Sequence, residues 1–170
     1  MSNIPNNQNI NTNNSISSNN ISNNTPEILS RLKEQTINTP VLSLEGYYSV
    51  AKVVSVYDGD TCRVVIPFKG EFYKWNVRLD GYDTPEMRPS RSKPNRDAEI
   101  AAAKAAKRYL MSLVMESPNQ IVYIKCKDFD KYGRLLASIY IHPEDTVSVN
   151  EMMVQKGHGY IYDGGTKRVF

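Results

Sequence analysis

Two acidic clusters stand on either side of an arginine-bearing stretch in this 170-residue chain. The first is Asp58-Gly59-Asp60-Thr61 and the second is Asp83-Thr84-Pro85-Glu86, with Val77-Arg78-Leu79 between them. A turn, Asp130-Lys131-Tyr132-Gly133-Arg134, follows downstream. Carboxylates suited to a hard cation, one further glutamate and two arginines are the groups needed to break a phosphodiester bond. Attack of water on phosphorus builds negative charge on the nonbridging oxygens. A cation on one side and guanidinium forks on the other stabilise that charge, the forks in bidentate geometry. Asp60 and Asp83 end two different strand-like segments, the arrangement needed for convergence on one calcium or magnesium ion, and no Cys/His cluster points to zinc. Glu86, close to such an ion but free of it, is suited to orient or deprotonate the attacking water. Each feature has a plainer reading. Asp-Gly-Asp is most often only a hairpin turn, Arg78 a surface charge or a brace, and Glu86 a capping acid. Their joint occurrence is what favours chemistry.

The elements that position these residues follow from hydrophobic periodicity. Strands are expected at residues 53–56, 61–66 and 72–79, the Asp-Gly turn joining the first two. In the third, Tyr73, Trp75, Val77 and Leu79 alternate with Lys74, Asn76 and Arg78, so Arg78 points away from the apolar set. A basic, proline-containing loop at 87–96 leads to an alanine-rich helix at 97–115 with Ala103, Ala106, Leu110, Leu113 and Val114 as its apolar stripe. Residues 121–126 and 135–141 read as two more strands, and 149–156 as a short helix stopped by Gly157. Three strands, a helix, two strands and a helix fit an α+β, mainly β fold: a five-stranded OB-type barrel with two or three helices.

These motifs resemble the staphylococcal nuclease (thermonuclease) family, over roughly residues 53–157. The resemblance implies that Asp60, Asp83 and the backbone carbonyl of Thr84 bind Ca2+, that Glu86 activates water, and that Arg78 and Arg134 are catalytic. It further implies that Lys131 and Tyr132 contact a nucleotide phosphate, and that the protein is an endonuclease acting on DNA, with RNA left open, and leaving 3′-phosphate ends. Longer members of the family continue through a third helix, whereas this chain ends at Phe170. Tyr160 and Tyr162 are candidates for stacking on a base, with core or surface aromatics as the equal alternative.

Residues 1–25 hold eleven asparagines, five serines and no charge, so they lack the apolar surface to offset chain entropy and are expected to be a disordered tail. Residues 26–46 are expected to be a linker with a short helix begun at Thr25-Pro26-Glu27 and ended by Pro40, and 47–170 the nuclease-like domain. Of 21 basic and 18 acidic residues, two and three precede residue 47, leaving 19 against 15 in the domain. That net +4 is a mild bias toward a polyanion and proves nothing alone. Cys62 and Cys126 lie in strand-like runs and read as small buried hydrophobes, with a disulfide as the alternative. His142 and His158 are distant from the acidic motifs and read as structural.

The chain has no long apolar run and no apolar leader after a basic start, so a soluble protein is expected, intracellular rather than secreted, with no membrane association and no obligate protein partner. Two other classes compete: a non-catalytic OB module that binds nucleic acid or protein, and an interaction protein worked by its Asn-rich tail. The full set of Asp60, Asp83, Glu86, Arg78 and Arg134 argues against the first. The low complexity of the tail argues against the second.

Overall fold

Alternate apolar side chains from five strands of the chain fill one core, and the strands close around it into a barrel. The computed structural model describes residues 25–165. The strands are β1 (Tyr48–Val56), β2 (Thr61–Phe68), β3 (Glu71–Leu79), β5 (Ile121–Phe129) and β6 (Leu135–Tyr140). A two-residue β4 (Tyr82–Asp83) and β7 (Tyr160–Ile161) complete the strands among the described residues. The barrel order is β1-β2-β3-β6-β5, closed by β1 against β5. All its pairings are antiparallel except β3 with β6. A parallel pair needs a long crossover, and α2 (Arg96–Val114) with β5 supplies it. This is the expected OB-like α+β fold.

Ala51, Val53, Cys62, Val64, Ile66, Val77, Leu79, Val122, Ile124, Cys126, Leu135, Ala137 and Ile139 are buried together in one core. They occupy alternate positions of their strands, which is why each strand can present polar residues to solvent. Helix α2 covers the core with Ala106, Leu110 and Val114, and Ala103 is buried on the same face, the four spaced by three and four residues. Helix α3 (Val149–Gln155) adds Val149 and Met153. Ser148 caps it, accepting from the Glu151 amide at 3.2 Å while the Glu151 carboxylate accepts from the Ser148 amide at 2.7 Å. Cys62 and Cys126 are buried free thiols, and burial pushes their pKa values up to about 12 and about 11. Leu44, within the expected linker, also packs into this core.

The described residues fall into two units, one up to Val41 and the other from Leu42. The first contains α1 (Thr25–Lys33), with Glu27 in its first turn and Arg31 and Lys33 in its last, charges that complement the helix dipole. It ends well before Pro40. The Thr36 amide donates to Thr39 Oγ1 and the Asn38 amide to Thr36 Oγ1, each at 3.2 Å. Threonine hydroxyls thus give the backbone an alternative to helical bonds. The expected tail, residues 1–25, lies outside the described residues except for Thr25. Among the described residues no helix is long and apolar enough to cross a membrane.

Candidate active site

The β1–β2 turn is the first part of the site. Its backbone is closed by the Tyr57 amide donating to Thr61 O at 2.8 Å, and the Asp60 amide donates to Asp58 Oδ1 at 3.1 Å. Asp60 is then tied to the neighbouring strand, because its carbonyl accepts from the Leu79 amide at 2.7 Å. A glycine at 59 is required by space. A Cβ there would stand 2.8 Å from Ala106 Cβ on α2 and 2.9 Å from Thr84 Cγ2, inside ordinary contact distance. The Gly59 carbonyl in turn accepts from the buried hydroxyl of Tyr82 at 2.8 Å. Turn, helix and second acidic cluster therefore meet at one point.

Arg78 follows from the register. It faces Thr61 across β2 and β3, which sets its side chain beside Asp60. Its Nη1 pairs with Asp60 Oδ2, and its Nη2 donates to Asp83 Oδ1 at 3.0 Å and to Tyr82 O at 3.2 Å. Alternation on β3 correctly turns Arg78 from the barrel interior, but the residue is only 9% exposed, because the β3–β4 corner and its two carboxylates enclose it. Burial disfavours its charge; the Asp60 and Asp83 carboxylates outweigh that and hold its pKa above the ordinary value. Asp58 shows the opposite balance. Burial and the neighbouring Asp60 charge push its pKa up to about 6.

Asp83 is 2% exposed. Besides Arg78 it accepts from the Tyr160 hydroxyl at 3.0 Å. Arg134 is held by its own turn. Asp130 accepts from the Tyr132 and Arg134 amides at 2.9 Å each and from Arg134 Nε at 2.7 Å. Burial alone would raise the Asp130 pKa, but these donors outweigh it and lower it. Gly133, at φ 77°, supplies the left-handed residue the turn needs. Arg134 Nη1 lies 3.4 Å from Thr61 Oγ1, and that hydroxyl donates to Asp60 Oδ1 at 2.7 Å. One hydrogen-bonded chain thus runs Arg134–Thr61–Asp60–Arg78–Asp83–Tyr160.

A cavity of about 500 Å³ opens over this chain, lined by Asp60, Arg78, Asp83, Thr84, Glu86, Lys131, Tyr132 and Arg134 among others. All eight residues singled out in the sequence therefore meet at one cavity. Thr84 is buried, Glu86 exposed, and Lys131 and Tyr132 exposed on its edge. The Lys131 Nζ and Arg134 Cζ atoms lie 5.2 and 5.6 Å from the centre of the Tyr132 ring. His142 and His158 do not line the cavity; His158 packs on Tyr109, ring centres 4.6 Å apart. Tyr162 lines it, 5.9 Å from Arg78 Cζ.

The donor set fits a hard cation in one respect. Asp60 Oδ2 and Asp83 Oδ1, from different elements, already share the single positive charge of one guanidinium, and both are oxygen donors. Among the described residues no group of three or more His, Cys, Asp or Glu is arranged to hold a metal. An ion at this place has two aspartates to use, and the rest of its shell falls to backbone oxygen or water.

Thr61 has no role of its own in the sequence reading, and Tyr160 is a candidate there for stacking on a base, not for holding Asp83. Thr61 sits inside the first acidic motif, where a hydroxyl next to an aspartate was the available signal. Tyr160 has no local signal, since it reaches the site through the β4–β7 pairing.

With this geometry in view, three comparisons bear on the chain. The family model described as staphylococcal nuclease homologue matches residues 76–168, from the strand of Arg78 onward. Endonuclease YncB of Bacillus subtilis (strain 168) is 36% identical over 115 residues, 66% of this chain and 49% of YncB. The SPbeta prophage-derived endonuclease YokF of the same organism is 35% identical over 118 residues, 66% of this chain and 35% of YokF. The chain thus spans about half the length of the first relative and about a third of the second.

Proposed function

The chain belongs to the staphylococcal nuclease homologue family, and from that premise we propose that it is an endonuclease hydrolysing phosphodiester bonds. The observation that carries this reading is the bridging of Asp60 and Asp83 by Arg78 in a cavity that also receives Glu86 and Arg134. The relatives' own names are those of endonucleases.

In the proposed reaction Glu86, exposed at the cavity, orients water or takes its proton as the water attacks phosphorus. Arg78 and Arg134 hold the nonbridging oxygens as charge accumulates there, and the fork of each guanidinium suits two oxygens at once. Asp60 and Asp83, with the Thr84 carbonyl, would hold Ca2+, which when bound supplies positive charge against the phosphate. Arg78 now serves the two carboxylates. A phosphate competes for its guanidinium as a cation competes for the aspartates, so the resting ion pairs keep both sets of groups aligned without excess local charge. Lys131 and Tyr132, at the cavity edge, are suited to a flanking phosphate. DNA is the substrate proposed, with RNA as a second class, and 3′-phosphate ends the proposed product on the family likeness.

Digestion of single-stranded DNA with calcium, with magnesium and with excess chelator tests the reading. Cleavage in calcium that chelator abolishes is expected. Binding of DNA without cleavage under all three conditions would favour a non-catalytic binding module instead, and full cleavage in chelator would remove the cation from the account.

A further inference from the structure

A carboxylate that no part of the proposed reaction uses lies directly behind Glu86. Glu99 is in the first turn of α2, and it is 3% exposed. A buried carboxylate is costly unless it is paired and hydrogen-bonded. The partners of Glu99 come from both ends of the loop at residues 87–95. Its Oε1 accepts from the Glu86 amide at 3.3 Å, and its Oε2 is ion-paired with Lys93 Nζ at 2.6 Å, without the alignment of a hydrogen bond. The helix end adds a favourable field, since an acid in the first turn faces the positive end of the dipole. Glu99 is fixed from its own side as well, its amide donating to Asn95 O at 3.0 Å.

We infer that Glu99, locked by Lys93, is a positioning residue that sets the backbone of Glu86 and through it the place of the Glu86 carboxylate in the cavity. The inference rests on reading Glu86 as the group that handles water. Four observations converge on it. The acid is buried where an ordinary helix-start acid is solvated, one oxygen is spent on the amide of the very residue assigned to water, the other on the far end of the same loop, and the helix carrying it packs by Ala106 against the Asp58-Gly59-Asp60 turn. The rigid α2 scaffold thereby fixes Asp60 and Glu86 relative to each other, although Glu86 itself lies at the start of a loop. An exposed side chain on an untethered loop would hold no single position, and misplacement of a reacting group by about 1 Å is enough for a loss on the order of 100-fold.

The test is a cycle of wild type, Glu86→Gln, Glu99→Ala and the double variant, with single-turnover cleavage of single-stranded DNA, KM and melting temperature measured on each. Glu99→Ala is expected to lower turnover by about tenfold or more, with KM changed less than about threefold. In the Glu86→Gln background the same substitution is expected to cost less than about threefold, because the group it positions is already disabled. Glu99→Gln, whose amide oxygen can still accept from the Glu86 N–H, is expected to recover most of the loss. An equal loss from Glu99→Ala in both backgrounds, or an equal loss in the alanine and glutamine variants, overturns the inference. Should Glu99→Ala not fold, Lys93→Met, a change in a partly exposed loop residue, carries the same cycle. Its loss of turnover is expected to be about three- to tenfold and to vanish in the Glu86→Gln background; a loss that persists there contradicts the positioning role. Wild-type turnover by Glu86→Gln alone overturns the underlying reading and the inference with it, and needs no Glu99 variant to be seen.

Discussion

Asp83 and Tyr160 face each other across the β4–β7 ribbon, and the Tyr160 hydroxyl donates to the Asp83 carboxylate at 3.0 Å. Two two-residue strands cannot hold together on their own. This ribbon is held by what surrounds it: Tyr82 is buried in the core, and the Tyr162 amide donates to Gly81 O at 3.0 Å. Gly159 lets the two segments close, since a Cβ there would lie 2.7 Å from Tyr82 Cδ2 and 2.8 Å from Asp83 O. The C-terminal part of the domain thereby positions a carboxylate from its middle.

Tyr160→Phe keeps the ring and removes the donor. The carboxylate it leaves is buried but still paired with Arg78, so the expected cost is about 1–2 kcal/mol of stability. Urea unfolding of the two proteins measures it. An unchanged midpoint would show that the bond contributes nothing.

Gly59→Ala and Gly159→Ala should each destabilise by about 1–3 kcal/mol, the range for forcing extra volume into packed surroundings. Gly165→Ala is the control. Among the described residues its Cβ would meet only Asp163 Oδ1 at 3.6 Å, and a change within about 0.5 kcal/mol is expected. Equal effects at all three positions in urea unfolding would refute the close-approach account.

Arg78 and Arg134 should separate under lysine substitution. At both, replacing a fork by a point charge should lower turnover by roughly tenfold or more. Arg78→Lys should also lower the melting temperature, because Arg78 is buried and its guanidinium spans Asp60 and Asp83 together. Arg134 is more exposed and bound mainly within its own turn, so Arg134→Lys should lose turnover with little loss of stability. Melting curves and single-turnover cleavage on both variants decide this, and wild-type cleavage by Arg134→Lys would remove its catalytic assignment.

The contrast between these arginines shows how far the sequence could be read. Local periodicity was enough for the barrel strands, the stripe Ala103-Ala106-Leu110-Val114 and the α3 region, because burial repeats every two or every three to four residues. Residue type and motif spacing, not periodicity, bring Asp60, Asp83 and Arg78 into consideration together. Periodicity could not show that Arg78 is buried, since that depends on the β3–β4 corner folding over it. Nor could it show the β4–β7 ribbon, whose four residues are too few to carry a pattern and whose pairing joins segments far apart in the sequence. Glu99 escaped for a related reason: an acid at a helix start is ordinary, and only its neighbours make it unusual.

Ser148→Ala should cost about 1 kcal/mol by loss of the α3 cap. The deficit should depend on pH. Hydrogen bonds from the Ser148 backbone and side chain lower the Glu151 pKa in the folded protein. A lowered folded value means stabilisation present above the unfolded pKa of about 4.3 and lost as pH falls through the folded value. The gap between wild type and variant in urea midpoints should therefore narrow on acidification from pH 7. A gap that widens would contradict the assignment.

Single-turnover cleavage of DNA by Glu86→Gln, measured beside wild type in calcium, tests the central claim most directly. Glutamine keeps the size of the side chain and its exposure at the cavity but removes the base that handles water. Turnover is expected to fall by about 100-fold or more, within the range for losing general-base catalysis, with the melting temperature unchanged because Glu86 is exposed. Wild-type turnover by this variant would contradict the assignment of the reaction to this site.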